Sequence, residues 1–292
     1  MTHGQDAAEL PLRHAIALGL LQGPSELLPV SSSAHTALIP WLARWPAAEL
    51  DPELRKSFEV ALHAGTALAL LVRAPRPAAR GGEGGSGGGP ERGSQPGAGW
   101  SSWRDRSSLL ALSFLPPALV GLLLERPIER RLGTPRSIAR GLLGGAVAMA
   151  LTDAVANARR VPARHVPDAD PLDALALGLA QAAALVPGVS RNGATLTAAR
   201  ARGFAREDSQ ELSWIVALPV VLGAAALKGW RLRRREVPPG VRRALLAGSG
   251  AAFLSTLLAI PLLGPARRAR PLLPYALYRS ALALAVLRRL RA

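Results

Sequence analysis

The chain has 292 residues, no cysteine, and 36 Lys+Arg against 20 Asp+Glu, a formal net charge of +16. Without thiols there is no disulfide framework, thiolate metal site, iron–sulfur cluster or cysteine nucleophile. A pI near 11.7 would suit a nucleic-acid binder, but 49% of the residues are apolar and the mean hydropathy is +0.19. The basic residues punctuate long apolar runs instead of forming one tract, which is the pattern of a multi-span membrane protein and argues against a nucleic-acid partner. Nearly all of them are Arg; Lys56 and Lys228 are the only lysines, a bias in keeping with the abundant Ala, Gly and Pro.

Met1–Glu9 is polar and lacks the basic n-region of a signal peptide, so the first apolar segments are expected to stay in the mature protein. Apolar runs follow at about Leu10–Leu21, Thr36–Ala43, Phe58–Val72, Leu109–Leu124, Ile138–Ala158, Leu172–Val186, Gly193–Ala201, Leu212–Trp230, Ala244–Leu263 and Leu272–Leu287. A membrane span needs about 20 residues. Ile138–Ala158, Leu212–Trp230 and Ala244–Leu263 reach that length, while Phe58–Val72, Leu109–Leu124 and Leu272–Leu287 need their flanks. Leu10–Leu21 with Thr36–Ala43, and Leu172–Val186 with Gly193–Ala201, form two pairs of short runs, each broken by Pro, Ser or Gly. Non-helical backbone at membrane depth is tolerated only where protein or a water-filled cavity satisfies it, so both pairs are predicted to be re-entrant hairpins with tips lining a cavity. Residues 78–99 are Gly/Ser/Pro-rich low-complexity sequence, predicted to be a flexible loop.

Two stretches of the chain read as an internal repeat, the alternative being chance matching between Ala/Leu-rich segments. Ala17–Thr36 laid over Ala176–Thr195, at an offset of 159, matches at Ala17, Leu18, Gly19, Leu20, Gln22, Val30, Ser31 and Thr36. Ser57–Leu62 resembles Ser213–Leu218. Paired, interrupted apolar segments in corresponding halves point to a site near the membrane midplane. The expected fold is therefore an all-α polytopic membrane protein, one integral domain over 1–292, with repeat one at about 10–124 and repeat two at about 172–287. The basic loop Lys228–Arg243 and the C-terminal Arg288, Arg289 and Arg291 favour the cytoplasmic side. Arg126–Arg136 and Arg267–Arg270 would lie opposite and weaken that vote.

Two segments carry chemistry. Gln22-Gly-Pro-Ser-Glu-Leu-Leu-Pro-Val-Ser-Ser-Ser-Ala-His35 places a carboxylate, hydroxyls and an imidazole between apolar helices. A charge at the bilayer centre costs about 2.5–3.5 kcal/mol on insertion scales, so Glu26 should have a counter-ion, a metal or a wet pocket. Ser31, Ser32 and Ser33 precede an apolar helix, where the free N–H groups of the first turn suit an anion. The second segment is Ala184-Leu-Val-Pro-Gly-Val-Ser-Arg-Asn-Gly-Ala-Thr195. Gly188 and Gly193 permit a tight turn, and Arg191 offers a rigid, permanently charged fork for phosphate oxygens. Ser190, Asn192 and Thr195 add neutral hydrogen bonds. If the hairpins meet, Glu26 and His35 face Arg191, a constellation suited to a phosphate ester or anhydride. Glu59 and His63, at i and i+4, can share a helix face as a further acidic site or as an interhelical bond. Arg140, Asp153 and Arg279 lie inside apolar runs and are expected to pair structurally or sit at an interface. The six tryptophans read as an interface belt.

These segments resemble the motifs of the bacterial undecaprenyl-diphosphate phosphatase family, the bacitracin-resistance type. The family's first motif, approximately E-G-x-T-E-F-L-P-V-S-S-T-G-H, is matched by Glu26, Pro29, Val30, Ser31, Ser32 and His35. Its second, P-G-x-S-R-S-G-A-T, is matched by Pro187, Gly188, Ser190, Arg191, Gly193, Ala194 and Thr195. Weaker likeness runs through Phe58–Val60, Pro116, Leu212–Ala224 and Leu273–Arg279, so that it spans nearly the whole chain outside the Gly-rich loop. Departures are Gln22 for Glu, Ser33 for Thr, Ala34 for Gly, Asn192 for Ser and His63 for Gln. Gln22 removes a negative charge from a two-carboxylate metal site, although its amide oxygen can still coordinate and Glu59 could supply charge.

The resemblance implies a plasma-membrane enzyme with inverted repeats that converts a polyprenyl diphosphate to the monophosphate on the outer face. That reaction recycles the lipid carrier of cell-wall synthesis and confers bacitracin resistance. A divalent cation, Mg²⁺ or Ca²⁺, is the implied cofactor, with Glu26, Gln22 and Glu59 as metal ligands. Glu26, Ser32, His35 and Arg191 are the implied catalytic residues, and Ser31, Ser33, Ser190, Asn192 and Thr195 would bind substrate. The partners expected are the polyprenyl diphosphate, membrane lipids and a second copy in a homodimer. Attack by Ser32 and direct attack by water are both open. A transporter or flippase of a polyprenyl phosphate, or a noncatalytic lipid-binding protein, could use the same midplane anion site.

Overall fold

A computed structural model describes residues 10–50, 52–73, 103–159, 161–232, 239–267 and 270–291. Met1–Glu9, the Gly-rich segment 78–99 and residues 233–238 of the basic loop lie outside the described residues. Among the described residues the secondary structure is helical: α1 (Leu12–Leu27), α2 (Ser32–Ala43), α3 (Pro52–Arg73), α4 (Trp103–Leu132), α5 (Pro135–Ala158), α6 (Pro171–Ala183), α7 (Arg191–Ala201), α8 (Arg206–Leu232), α9 (Pro239–Arg267) and α10 (Leu273–Arg289). Short 3₁₀ turns lie at Pro46–Ala48 and Val166–Asp168.

Among the described residues, four helical segments are long and apolar enough to cross a membrane: Ser107–Leu132, Pro135–Ala158, Arg206–Leu227 and Gly240–Leu263. The chain is a multi-pass membrane protein by this measure. The Leu109–Leu124 run draws on its flanks and becomes one of the four. Phe58–Val72 also grows into a longer helix, α3, and Leu272–Leu287 becomes the 17-residue α10, but neither is among the four. The expected short runs are short helices, with α1, α2, α6 and α7 at 16, 12, 13 and 11 residues.

Packing is organised by crossed partners. α1 lies mainly on α9, which also carries α3; α6 lies on α4; α5 packs against α10. Small residues allow the closest of these approaches. A Cβ at Gly19 would collide with the Gly248 carbonyl of α9, and one at Gly178 would lie 2.9 Å from the Ser113 carbonyl of α4. Ser255 Oγ of α9 donates to the Gly19 carbonyl at 3.0 Å, adding an interhelical bond where lipid offers no alternative partner. Apolar clusters fill the remaining space: Ala34, Leu38, Leu142 and Val286 join α2, α5 and α10, and Leu177, Leu212 and Val216 join α6 to α8.

The open end of α6 and α7 is tied by ion pairs. Asp173 accepts from Arg164 at 2.7 Å and from Arg202 at 2.5 Å. Asp170 caps α6 by accepting from the Asp173 N–H at 2.9 Å. Asp153 receives Arg200 at 3.1 Å and Arg206 at 2.9 Å, and also accepts from the Leu272 N–H. Asp153 is thus paired structurally, as expected. Arg279 is likewise held structurally: it is 1% exposed and donates to the Gly188 carbonyl.

Candidate active site

The two motifs, far apart in sequence, meet between the end of α1 and the start of α7. α1 stops at Leu27, and the chain turns through Leu28–Ser31 into α2. Ser31 adopts φ 74°, a left-handed conformation that costs a non-glycine residue about 1–2 kcal/mol. On the other side the chain turns through Pro187–Ser190, where Gly188 takes φ 93°, open to a residue without a Cβ. Ser190 caps α7, its Oγ accepting from the Gly193 N–H at 3.1 Å.

A ladder of polar bonds locks these turns together. Asn192 Nδ2 donates to the Leu27 carbonyl at 2.8 Å. Ser213 Oγ of α8 donates to Asn192 Oδ1 at 2.9 Å and lies 2.6 Å from Thr195 Oγ1. Glu26 sits at the centre and is 9% exposed. Its Oε1 accepts from Arg191 Nη2 at 2.7 Å, and its Oε2 accepts from Ser32 Oγ at 2.5 Å and from Gln22 Nε2 at 3.3 Å. His63 Nε2 of α3 approaches the same oxygen at 3.8 Å. The counter-ion demanded by a buried carboxylate is therefore Arg191, in a close charge-assisted bond.

The imidazole faces elsewhere. His35 Nδ1 donates to the Ser31 carbonyl at 2.7 Å, which leaves Nε2 to accept from the Tyr278 hydroxyl at 2.6 Å. Ser32 is thus bonded to Glu26 and not to His35. Ser33 Oγ lies 3.4 Å from Ser31 Oγ. Ser190, Asn192 and Thr195 spend their side chains on the scaffold bonds just described, Thr195 Oγ1 also donating to the Arg191 carbonyl at 3.0 Å. Glu59 is half-buried on α3, and its backbone carbonyl accepts from His63 Nδ1 at 2.8 Å. His63, not among the implied site residues, brings an α3 side chain to 3.8 Å from Glu26. Tyr278 and Arg279 of α10 were also not assigned to the site. An Arg inside an apolar run was the signal available for them.

Two unspent polar atoms mark the centre. Gln22 Oε1 and Arg191 Nη1 are buried with no hydrogen-bond partner among the described residues. The first is an oxygen donor beside Glu26, the second an N–H donor on the anion-binding residue. Among the described residues no three His, Asp or Glu side chains cluster as an all-protein metal cage. A hard cation that takes one carboxylate, one amide oxygen and ligands from a bound phosphate does fit Glu26 and Gln22, because magnesium commonly binds through one or two carboxylates plus substrate phosphates.

Similarity to known proteins agrees with this geometry. Residues 15–285 match the family model described as Bacitracin resistance protein BacA. A protein of Geobacter metallireducens named undecaprenyl-diphosphatase is 38% identical over 267 residues, covering 91% of this chain and 93% of that protein. One of the same name from Geobacter sulfurreducens is 37% identical, covering 92% and 95%. Another, from Moorella thermoacetica, is 35% identical, covering 82% and 85%. The chain belongs to the bacitracin resistance protein BacA family.

Proposed function

We propose that the protein hydrolyses undecaprenyl diphosphate to undecaprenyl phosphate and inorganic phosphate, recycling the lipid carrier of cell-wall synthesis and conferring bacitracin resistance. The observation that carries this reading is the continuous Arg191–Glu26–Ser32 chain, with bonds of 2.7 and 2.5 Å, joining the two motifs at one point. It supplies an anion-binding cation, a carboxylate acceptor and a hydroxyl in mutual reach, the parts that phosphoryl transfer requires.

In the proposed mechanism the terminal phosphate takes Arg191 Nη1, the unspent donor, and competes for Nη2. That competition releases Glu26 Oε1 from its ion pair. Ser32 Oγ, already donating to Glu26 Oε2, passes its proton to the carboxylate and attacks the terminal phosphorus. The Oγ–P bond forms as the bond from phosphorus to the bridging oxygen breaks, and undecaprenyl phosphate leaves. Water then attacks the phosphoserine phosphorus, the Oγ–P bond breaks, Glu26 returns its proton to Ser32 Oγ, and inorganic phosphate leaves with the oxygen and protons of the water. His35, fixed between the Ser31 carbonyl and Tyr278, holds the turn that carries Ser32. Gln22 and Glu26 would hold a magnesium or calcium ion, which would neutralise phosphate charge when bound.

The proposed architecture is a pair of inverted repeats, about 10–124 and 172–287, with α1–α2 and α6–α7 as re-entrant hairpins in the plasma membrane and the site open to the outer side. Equivalent residues doing equivalent work support the repeat. Gly19 and Gly178 both admit a carbonyl of the crossing helix. Gln22 and Gln181 are both buried, each with an unpartnered Oε1. The test is phosphate release from undecaprenyl diphosphate by detergent-purified protein, with Mg²⁺, with Ca²⁺ and with chelator. Metal-dependent release that disappears in Glu26→Ala and Arg191→Ala upholds the reading; a folded, substrate-binding protein that releases nothing overturns it.

A further inference from the structure

We propose that a groove between α5, α6 and α7 seats the first isoprenoid units of the substrate's tail; this inference rests on the phosphatase reading. The groove encloses about 380 Å³ and is walled by Gly144 and Ala148 of α5, Ala180 and Ala183 of α6, and Ala194 and Ala198 of α7. Small side chains alone would make only a slot. The second observation is a buried cation at its floor. Arg279 lines the groove, is 1% exposed, and has an Nε with no hydrogen-bond partner among the described residues. Its guanidinium lies against Gly145 and Gly193, neither of which could carry a Cβ without striking it. The groove is therefore apolar along its walls and electropositive at the end next to the start of α7.

The register of α7 connects this groove to the candidate active site. Ala194, Ala198 and Ala201 line it at helical spacing, and Arg191 stands one turn before Ala194 on the same progression. A terminal phosphate held by Arg191 Nη1 thus places its bridging oxygen, and beyond that the ester-linked phosphate, at the head of the stripe, and the attached chain runs over Ala194 and Ala198 towards Ala201. Ten residues of helix make that path about 15 Å long. Arg279 contributes by donating to the Gly188 carbonyl at 3.1 Å, which fixes the turn bearing Arg191, and by placing positive potential at the anionic end of the ligand.

Inside a bilayer, moving an apolar chain from lipid into a protein groove gains no hydrophobic free energy, because lipid tails are equally apolar. Selection must come from shape: a stiff, methyl-branched chain meets flat walls of Gly and Ala in close van der Waals contact. That predicts a dependence on chain length more than on overall affinity.

The test fills the slot. An ideal Cβ at Gly144 meets nothing within 4 Å, so Gly144→Leu is expected to fold. Ala198→Leu narrows the opposite wall and serves as an independent variant. The readout is the KM for undecaprenyl diphosphate divided by the KM for isopentenyl diphosphate, whose chain is too short to follow the groove. A rise of about tenfold in that ratio is expected in both variants. An unchanged ratio overturns the proposal and leaves the slot to ordinary membrane lipid. A second arm needs no turnover: undecaprenyl monophosphate carrying a photoreactive diazirine near its phosphate should label Gly144–Ala148 or Ala194–Ala201, and less so in Gly144→Leu. Labelling confined to other helices overturns the groove even in an active enzyme. Groove labelling in a protein that releases no phosphate would uphold the groove while the phosphatase reading falls. Because the chain has no cysteine, Ala148→Cys reports on a rival occupant. A disulfide between two copies would show that the face is covered by a second chain and would overturn the proposal.

Discussion

The α1–α2 and α6–α7 pairs derive from the same sequence pattern yet are built for different tasks. At its open end α6–α7 is held by the Asp173–Arg164–Arg202 and Asp153–Arg200–Arg206 ion pairs. The corresponding end of α1–α2 is held by softer contacts: the His14 and Trp45 rings stack at 4.2 Å, and the Arg289 guanidinium donates to the Leu42 carbonyl. The tips differ in the opposite sense. The α6–α7 turn places its positive φ at Gly188, whereas the α1–α2 turn imposes one on Ser31. Ser31 also offers the carbonyl that fixes His35. One hairpin is a clamped scaffold presenting a cation; the other is loosely held at its base and carries backbone strain beside the proposed nucleophile. Strain of this kind collects where surrounding structure over-determines a functional geometry.

Disrupting the two tips should have the largest effect. Glu26→Ala or Arg191→Ala is expected to lower phosphate release by about a thousandfold, because each removes a preorganised charge from the reacting centre. Each also strands its partner as a buried, unpaired charge at a cost of about 3–5 kcal/mol. Thermal unfolding in detergent should therefore fall in the single variants and partly recover in Glu26→Gln combined with Arg191→Gln, without recovery of activity.

Next come the two open ends. Asp173→Ala removes a fully buried acceptor from two arginines and should cost about 3 kcal/mol, the low end for a broken buried pair because Arg164 and Arg202 keep some access to water. His14→Ala removes a stacked pair and should cost about 1 kcal/mol. Equal losses of thermal stability would contradict the asymmetry between the hairpins.

Smaller effects separate the roles of α10 and the strained turn. Tyr278→Phe removes the donor at His35 Nε2, a bond worth about 1 kcal/mol, and should lower kcat by about fivefold with little change in KM. Ser31→Gly trades relief of about 1–2 kcal/mol of left-handed strain against about 0.5–1 kcal/mol of glycine entropy. Its melting temperature should stay level or rise slightly, while a Ser31→Val melting temperature should fall.

Helix-length apolar runs, the interrupted pairs and the two polar motifs were all legible in the chain, because burial of apolar surface and the cost of an intramembrane charge leave their mark on local sequence. The Gln22–Glu26 spacing puts both groups on one face of α1, and they are indeed in contact at 3.3 Å. That Glu26 must have a counter-ion was also readable from its setting. That the cation would be Arg191 was readable only on the condition that the two hairpins meet, since Arg140 and Arg279 also interrupt apolar stretches. The fold decided that Arg191 reaches Glu26 at 2.7 Å while Arg279 turns to the Gly188 carbonyl and the α5–α7 groove. It likewise gave Ser32 to Glu26, handed His35 to Tyr278, and brought His63 of α3 to the carboxylate. Periodicity and polarity act over a few residues and are written into the chain. Pairings across 165 residues depend on how α1, α7 and α10 cross, and only the packed helices fix that.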